Sequence, residues 1–299
     1  MANLTAEYLD PKLVSRLENL SLRARLVVEG FIAGYHRSPN HGLSVEFAEH
    51  RAYGPGDNIR HVDWKLYGKT DRYYVKQFEE ETNLKCYLLV DQSKSMIFDS
   101  HGLSKLKYTQ TLAAALAYLM LKQQDAIGLA LFDSQLREYL RPIAKASHLN
   151  TVLTKMSQIV PGPETAIAPI LHRLAETITK RGLIILISDL MDDPDDILMG
   201  LKHFRHKNHE VIVFHVLDPQ ERNFDYSNRV RFRDLETGQV ITTEPWHLKR
   251  EYRQQMEDYI GLFRRRCREQ NIDYLQCTTD KSLDLALTEY LLRRRTISL

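Results

Sequence analysis

From residue 84 onward, apolar runs of strand type alternate with helical patterns, and this alternation constrains the fold more than any other feature. The strand-type runs are Leu84–Val90, Ala126–Phe132, Leu183–Ile187, Val211–Val216 and Asp273–Cys277. Residues Gln135–Leu140 read as a short strand returning beside the second run after a turn at Asp133-Ser134. Helical periodicity fills the gaps over about 103–123, 146–158, 166–180, 195–207, 246–270 and 281–293. The run Leu183-Ile184-Ile185-Leu186-Ile187 is apolar at every position, as a strand covered on both faces must be. Alternating β and α units predict an α/β fold: a mostly parallel sheet with helices on both faces. Residues 228–243 read as a β-hairpin inserted in this pattern, turning at Glu236-Thr237-Gly238.

Two segments precede that domain. Residues 1–35 read as helical, with Leu13, Leu17, Leu20, Leu22 and Leu26 near helical spacing. They suit a helix packed on the main domain, or one that binds a partner. Residues 36–83 read as a small β-rich subdomain. Ser44–Phe47 and Tyr73–Phe78 alternate like strands, and Gly54-Pro55-Gly56-Asp57 is a turn signal. The expected boundaries are therefore 1–35, 36–83 and 84–299.

The strand Leu84–Val90 leads directly into Asp91-x-Ser93-x-Ser95. Ligands of open α/β sheets sit beyond the carboxyl ends of the strands, where this loop would lie. One carboxylate and two hydroxyls on a short loop are the hard oxygen donors that a cation such as Mg²⁺ takes. The pattern alone is weak, so its context decides. Leu183–Ile187 ends in Ser188-Asp189, a second carboxylate at a strand end, and the loop Pro161–Thr165 offers the Thr165 hydroxyl. Taken singly, such residues suit capping and turn chemistry.

The set Asp91, Ser93, Ser95, Thr165 and Asp189 resembles, in order and spacing, the metal-ion-dependent adhesion site of von Willebrand factor type A domains. The resemblance implies a Rossmann-like sheet. It implies that the two serines and the threonine contact Mg²⁺ directly or through water, and that the aspartates are direct or water-mediated ligands. Mn²⁺ and Ca²⁺ are the alternative occupants. One coordination position is left for a partner's acidic side chain. The preceding segment is more specific: Glu46-Phe47, Arg51-x-Tyr53-x-Pro55-Gly56-Asp57-x-x-Arg60-x-x-Asp63-Trp64 and Phe78-Glu79-Glu80-Glu81. With the hairpin around Asp234–Gly238, it resembles the DUF58 family, von Willebrand A relatives often encoded beside MoxR-type AAA+ ATPases. The resemblance spans about residues 30–290. It implies a non-enzymatic interaction module, partnered by a MoxR-type ATPase or that ATPase's client in protein maturation or complex assembly. Many relatives carry membrane-spanning helices at the N-terminus, and no such pattern occurs here.

Other signals compete less well. A net charge of +2 and a charged fraction of 27% do not suggest a dedicated nucleic-acid binder. The basic-aromatic stretch 60–76 could touch single strands, but Glu79-Glu80-Glu81 opposes it. Asp91 could serve a metal-dependent phosphoester hydrolase, yet position 93 is Ser where a D-x-D pair needs a second carboxylate. Gly68-Lys69-Thr70 lacks the earlier glycine of a phosphate-binding loop. His203, His206 and His209 are spaced by three and read as a solvated helix face. The three cysteines, Cys86, Cys267 and Cys277, read as reduced structural thiols. No apolar run approaches the ~20 residues of a membrane span, and no secretory pattern opens the chain. The expected location is cytoplasmic, or at a membrane only through partners.

Overall fold

A computed structural model describes residues 11–15, 17–35, 50–52, 67–68, 73–76, 84–162, 166–226, 230–233, 240–243 and 245–297. Two compact units divide the chain, one made of residues up to Gly34 with those from Leu84 onward, the other of Tyr35–Asn83.

The larger unit is built on six strands: β3 (Lys85–Asp91), β4 (Ala126–Phe132), β5 (Leu136–Ile143), β6 (Leu183–Ser188), β7 (Glu210–Leu217) and β10 (Asp273–Thr278). Their order is β10-β7-β6-β3-β4-β5. All neighbours are parallel except β5, which returns antiparallel along β4. The fold is thus the α/β sheet that the sequence pattern predicts. Helix α1 (Leu20–Tyr35) precedes the sheet, and among the described residues six helices of more than ten residues follow in chain order. They are α2 (Lys105–Lys122), α3 (Ala146–Ser157), α4 (Ile167–Thr177), α5 (Pro194–His206), α6 (Pro245–Glu269) and α7 (Asp284–Ile297).

Period-two alternation sends successive strand side chains to opposite faces. On one face Tyr87, Leu89, Ile184, Leu186, Val211 and Val213 form a core with Leu171 and Leu174 of α4, Leu201 and Phe204 of α5, and Phe263 of α6. The other face carries Leu88, Val90, Ile185, Ile187, Ile212 and Phe214, all fully buried, with α2 packed against β3, β4, β6 and β7. The alanine run Ala113–Ala115, flanked by Leu112 and Leu116, is completely buried and lets α2 lie close to the sheet. Outside α2, Arg23 of α1 donates to Thr111 at 3.4 Å, and Tyr290 of α7 donates to Asp125 at 3.2 Å. Helix α2 is therefore central, and its first residue, Lys105, is placed by the core.

Some boundaries differ from expectation. Of the expected helical segment 1–35, the described residues form a short turn of helix at Pro11–Val14 and then α1; residues 1–10 lie outside the described residues. Helix α4 stops at Thr177, where Ile178 turns to extended backbone. Two elements were not anticipated, a 3-10 turn at Lys94–Ile97 and a five-residue helix at Pro219–Asn223. The inserted hairpin pairs β8 (Val230–Arg233) with β9 (Val240–Thr243); its expected turn lies outside the described residues. All three cysteines are buried, and none forms a disulfide among the described residues. Among the described residues, no helix is long and apolar enough to cross a membrane.

In the smaller unit, β1 (His50–Ala52) pairs antiparallel with β2 (Tyr74–Lys76). The expected strand Ser44–Phe47 and most of the signature from Tyr53 to Trp64 lie outside the described residues. Of the stretch 60–76, the rings of Tyr67 and Tyr73 stack on each other at 4.5 Å.

Candidate metal centre

The site forms at the carboxyl edge of β3 and β6, where two neighbouring parallel strands end together. Asp91 is the last residue of β3 and is fully buried. Its Oδ1 accepts from the Ser93 amide at 2.9 Å, and its Oδ2 accepts from the Ser188 hydroxyl at 2.5 Å. The 3-10 turn after Ser93 folds the loop back, with Met96 buried beneath it. That turn brings the hydroxyls of Ser93 and Ser95 to 3.0 Å from each other.

Asp189 follows β6 directly and is also fully buried. Its Oδ2 accepts from Lys105 Nζ at 2.7 Å, and its Oδ1 from the Met191 amide at 3.3 Å. The next residue, Leu190, has φ of 54°, a left-handed conformation that costs a branched residue energy and must be held. The Ser188 hydroxyl accepts from its amide at 2.9 Å, and the Tyr259 hydroxyl of α6 donates to its carbonyl.

Of the five residues expected at the site, four are brought together: Asp91, Ser93, Ser95 and Asp189. The fifth, Thr165, lies outside the described residues. Its described neighbours are tied to the two loops. Gly162 bridges to Ser93 and donates its amide to Gln92 O at 2.9 Å, while the Ile167 amide donates to Asp192 Oδ2 at 2.9 Å. Gly162 has no room for a side chain, because a β-carbon there would lie 1.9 Å from Asp133 Oδ2.

Three residues that the sequence did not single out complete the surroundings: Ser188, Lys105 and Glu221. Lys105 Nζ reaches Glu221 Oε1 at 2.6 Å as well as Asp189, and is completely buried. Glu221 belongs to a capping box with Asp218 at the start of the Pro219–Asn223 helix.

Electrostatics separate the two aspartates. Burial, reinforced by the charge of Asp189, pushes the Asp91 carboxyl well above the ordinary carboxylate range. Burial would raise Asp189 as well, but the Lys105 ammonium overrides it and holds that carboxyl low. Burial alone would lower Lys105; Asp189 and Glu221 together keep it raised. His215, opposite Ser188 on β7, is driven by burial down to about 4, so it adds no positive charge.

These residues fit a hard divalent cation. The donors are all oxygen: two carboxylates and two hydroxyls on adjoining loops. Among the described residues, no cationic side chain ion-pairs with Asp91, and such a buried carboxylate is costly until a cation meets it. Ser188 orients Asp91 much as outer-shell partners orient metal ligands.

Neighbouring clusters have structural explanations. Asp99, His101 and Asp218 bring potential ligand atoms within 4.8 Å of one another. Asp99 Oδ1, however, takes the amides of His101, Gly102 and Leu103, and Asp218 takes the amides of Ser100 and Gln220. The spaced histidines do not converge: His203 Nδ1 meets His172 Nδ1 at 3.3 Å, whereas His209 is buried against Ile178 O at 3.2 Å. The expectation of a solvated face fails for His209, which packs edge-on against Phe204.

Comparison with known proteins places this architecture. Uncharacterised proteins of Mycobacterium bovis and Mycobacterium tuberculosis are each 27% identical over 234 residues, 77% of this chain and 73% of theirs. The crystal structure of the conserved hypothetical protein BatB from Bacteroides thetaiotaomicron has the same fold. Its TM-score is 0.50 at 17% identity, over 71% of this chain and 99% of that one. An aerotolerance-related membrane protein from Bacteroides fragilis gives a TM-score of 0.49 at 19% identity, over 70% and 99% of the two chains. The family model described as protein of unknown function DUF58 matches residues 49–259, so the chain belongs to the DUF58 family.

Proposed function

We propose that the protein is a non-enzymatic, metal-dependent interaction module of von Willebrand A type. Asp91, Ser93, Ser95 and Asp189 would hold Mg²⁺, or Mn²⁺ or Ca²⁺ in its place, with Thr165 as a further oxygen donor. When bound, the ion supplies an electrophilic position for one acidic side chain of a partner. The observation that carries this reading is the buried Asp91 beside Ser93 and Ser95, a carboxylate and two hydroxyls gathered with no cationic ion-pair partner among the described residues. Hydroxyl ligands add no formal charge, so the ion keeps its attraction for an incoming carboxylate. The partner we infer is a MoxR-type AAA+ ATPase or its client, on the resemblance of the Arg51–Trp64 segment to proteins encoded beside such ATPases.

A metal-dependent phosphoester hydrolase is less well supported. Both Asp91 oxygens already accept hydrogen bonds, which blunts the carboxylate as a nucleophile. Lys105 is enclosed and committed to two carboxylates rather than presented to a substrate.

The test is thermal stability of the purified protein against Mg²⁺ and Mn²⁺, beside Ser93→Ala and Asp189→Ala. An ion at about 100 times its dissociation constant adds roughly 2.7 kcal/mol. A rise in the wild type alone supports the centre, and recovery of the ATPase only with metal present supports the partner. A wild type indifferent to millimolar metal, with and without the ATPase, would falsify the reading.

A further inference from the structure

Fully buried lysines are rare, and one with two carboxylate partners inside a cation site calls for an account. Lys105 is the first residue of α2, held there because the rest of the helix is wedged between the sheet and the helices outside it. A lysine is also poorly placed at a helix N-terminus, where the macrodipole favours negative charge. Its ammonium is nevertheless fixed at 2.7 Å from Asp189 Oδ2 and 2.6 Å from Glu221 Oε1. Asp189 is a carboxylate of the metal centre, and Glu221 comes from a separate loop after β7. Ser104, which caps α2 by accepting from the Lys107 amide at 3.3 Å, fixes the register that aims Lys105 inward.

We propose that Lys105 is a tethered cation that competes with the divalent ion for Asp189, so that the centre binds its metal weakly until a partner carboxylate arrives. The inference rests on the metal reading above and deepens it by naming what sets the affinity. Two features support it. The ammonium already satisfies the charge of Asp189, so an incoming ion gains less from that carboxylate and is repelled by the ammonium in a low-dielectric setting. In addition, Lys105 has a second partner to keep. If the ion draws Asp189 away, Glu221 still holds the ammonium, and the lysine is never left buried and unpaired. Among the described residues Asp91 has no such cation, so the two aspartates divide the work: Asp91 provides the pull on the ion, and Asp189 is shared.

Charge changes on the two sides of the lysine have opposite consequences. Lys105→Met keeps an unbranched side chain one atom shorter and removes its charge, and should tighten Mn²⁺ binding by about tenfold or more. Glu221→Gln leaves the ammonium wholly on Asp189 and should weaken Mn²⁺ binding severalfold. Glu221 is partly exposed, so this second variant keeps the test alive if Lys105→Met does not fold. Binding is measured by Mn²⁺ titration calorimetry at fixed pH on the full chain, with Asp91→Asn as the control that abolishes it. Tighter binding in Lys105→Met, or weaker binding in Glu221→Gln if only that variant folds, supports the proposal. If the wild type binds Mn²⁺ and a folded Lys105→Met binds equally or more weakly, Lys105 merely positions Asp189; competition is overturned while the metal centre stands. If neither the wild type nor a folded Lys105→Met binds Mn²⁺, with and without the ATPase present, the metal reading itself falls and this inference falls with it.

Discussion

Gly162→Ala is the sharpest test of how the two loops at the site are clamped. A β-carbon at 162 would lie 1.9 Å from Asp133 Oδ2, 2.4 Å from its Cγ and 2.8 Å from its Cβ. To restore an ordinary contact near 3.5 Å, the Asp133 carboxylate must retreat by roughly 1.6 Å. It would then give up the Gln135 amide at 2.9 Å, Arg137 Nε at 2.8 Å and Gln92 Nε2 at 3.3 Å. The Arg137 pair is solvent-screened and adds little. The amide bond to a buried carboxylate is worth about 1.5–3 kcal/mol, and overpacking by one methyl costs about 1–3 kcal/mol. Partial relaxation prevents these from summing in full, so we expect a loss of about 2–4 kcal/mol. The alternative response, retreat of the glycine, breaks its 2.9 Å bond to Gln92 O and loosens the bridge to Ser93. Urea unfolding of the wild type, Gly162→Ala, Asp133→Ala and the double variant forms a cycle. Most of the cost of Gly162→Ala should vanish in the Asp133→Ala background, where only the 2.8 Å contact remains. Equal costs in both backgrounds, or a cost below about 0.5 kcal/mol in the wild type, would refute the clamp.

Three further outcomes follow from the same geometry. Ser188→Ala removes the donor to Asp91 Oδ2 and the acceptor of the Leu190 amide, and should cost about 2–3 kcal/mol in urea unfolding with an unchanged m-value; a neutral result would mean the hydroxyl holds neither group. Tyr259→Phe frees the carbonyls of Leu190 and Asp192, so the amides of Leu190 and Met191 should exchange faster with deuterium while those of β3 do not; unchanged exchange would show that α6 does not restrain this loop. His209 is buried and its pKa is lowered by that burial, so its contribution to stability is complete above the ordinary value near 6.5 and is lost as pH falls through the lowered one. His209→Gln should therefore flatten the decline in unfolding midpoint between pH 7.5 and pH 5, and an identical slope in both proteins would exclude this histidine as a source of acid sensitivity.

The fold was legible because burial writes itself into local sequence. Leu183–Ile187 is apolar on both faces, and such a run fits few places other than the middle of a covered sheet. Polar residues at the ends of such strands stand out, which is why the sequence alone places Asp91 and Asp189 at one edge. Lys105 was not legible, because a lysine in the first turn of a helix reads as solvent-facing. Its meaning depends on Glu221, 116 residues away, and no local pattern carries that pairing. A trace was present even so: a cation at a helix N-terminus opposes the dipole and asks for a specific partner. In the sequence Ser188 marks only the end of a strand, since the hydroxyl's direction toward Asp91 depends on the register of β6 against β3. The Asp218-Pro219-Gln220-Glu221 stretch carried a capping-box signal too short to be taken for a helix.

The balance of charge at the site decides what kind of device it can be. Asp91 and Asp189 are both buried, and among the described residues only Asp189 has a resident cation. A third carboxylate, brought by a partner, would be repelled from this edge, because like charges in a low-dielectric setting raise one another's cost. On the proposed reading a divalent ion would reverse that sign, but with Lys105 already paired to Asp189, the ion by itself would find little more than Asp91 and neutral hydroxyls. Each ligand is then poor alone and good in the presence of the other, and linkage makes that dependence reciprocal. On the proposed reading, attachment requires metal and partner together, and the buried lysine is what keeps either one from sufficing.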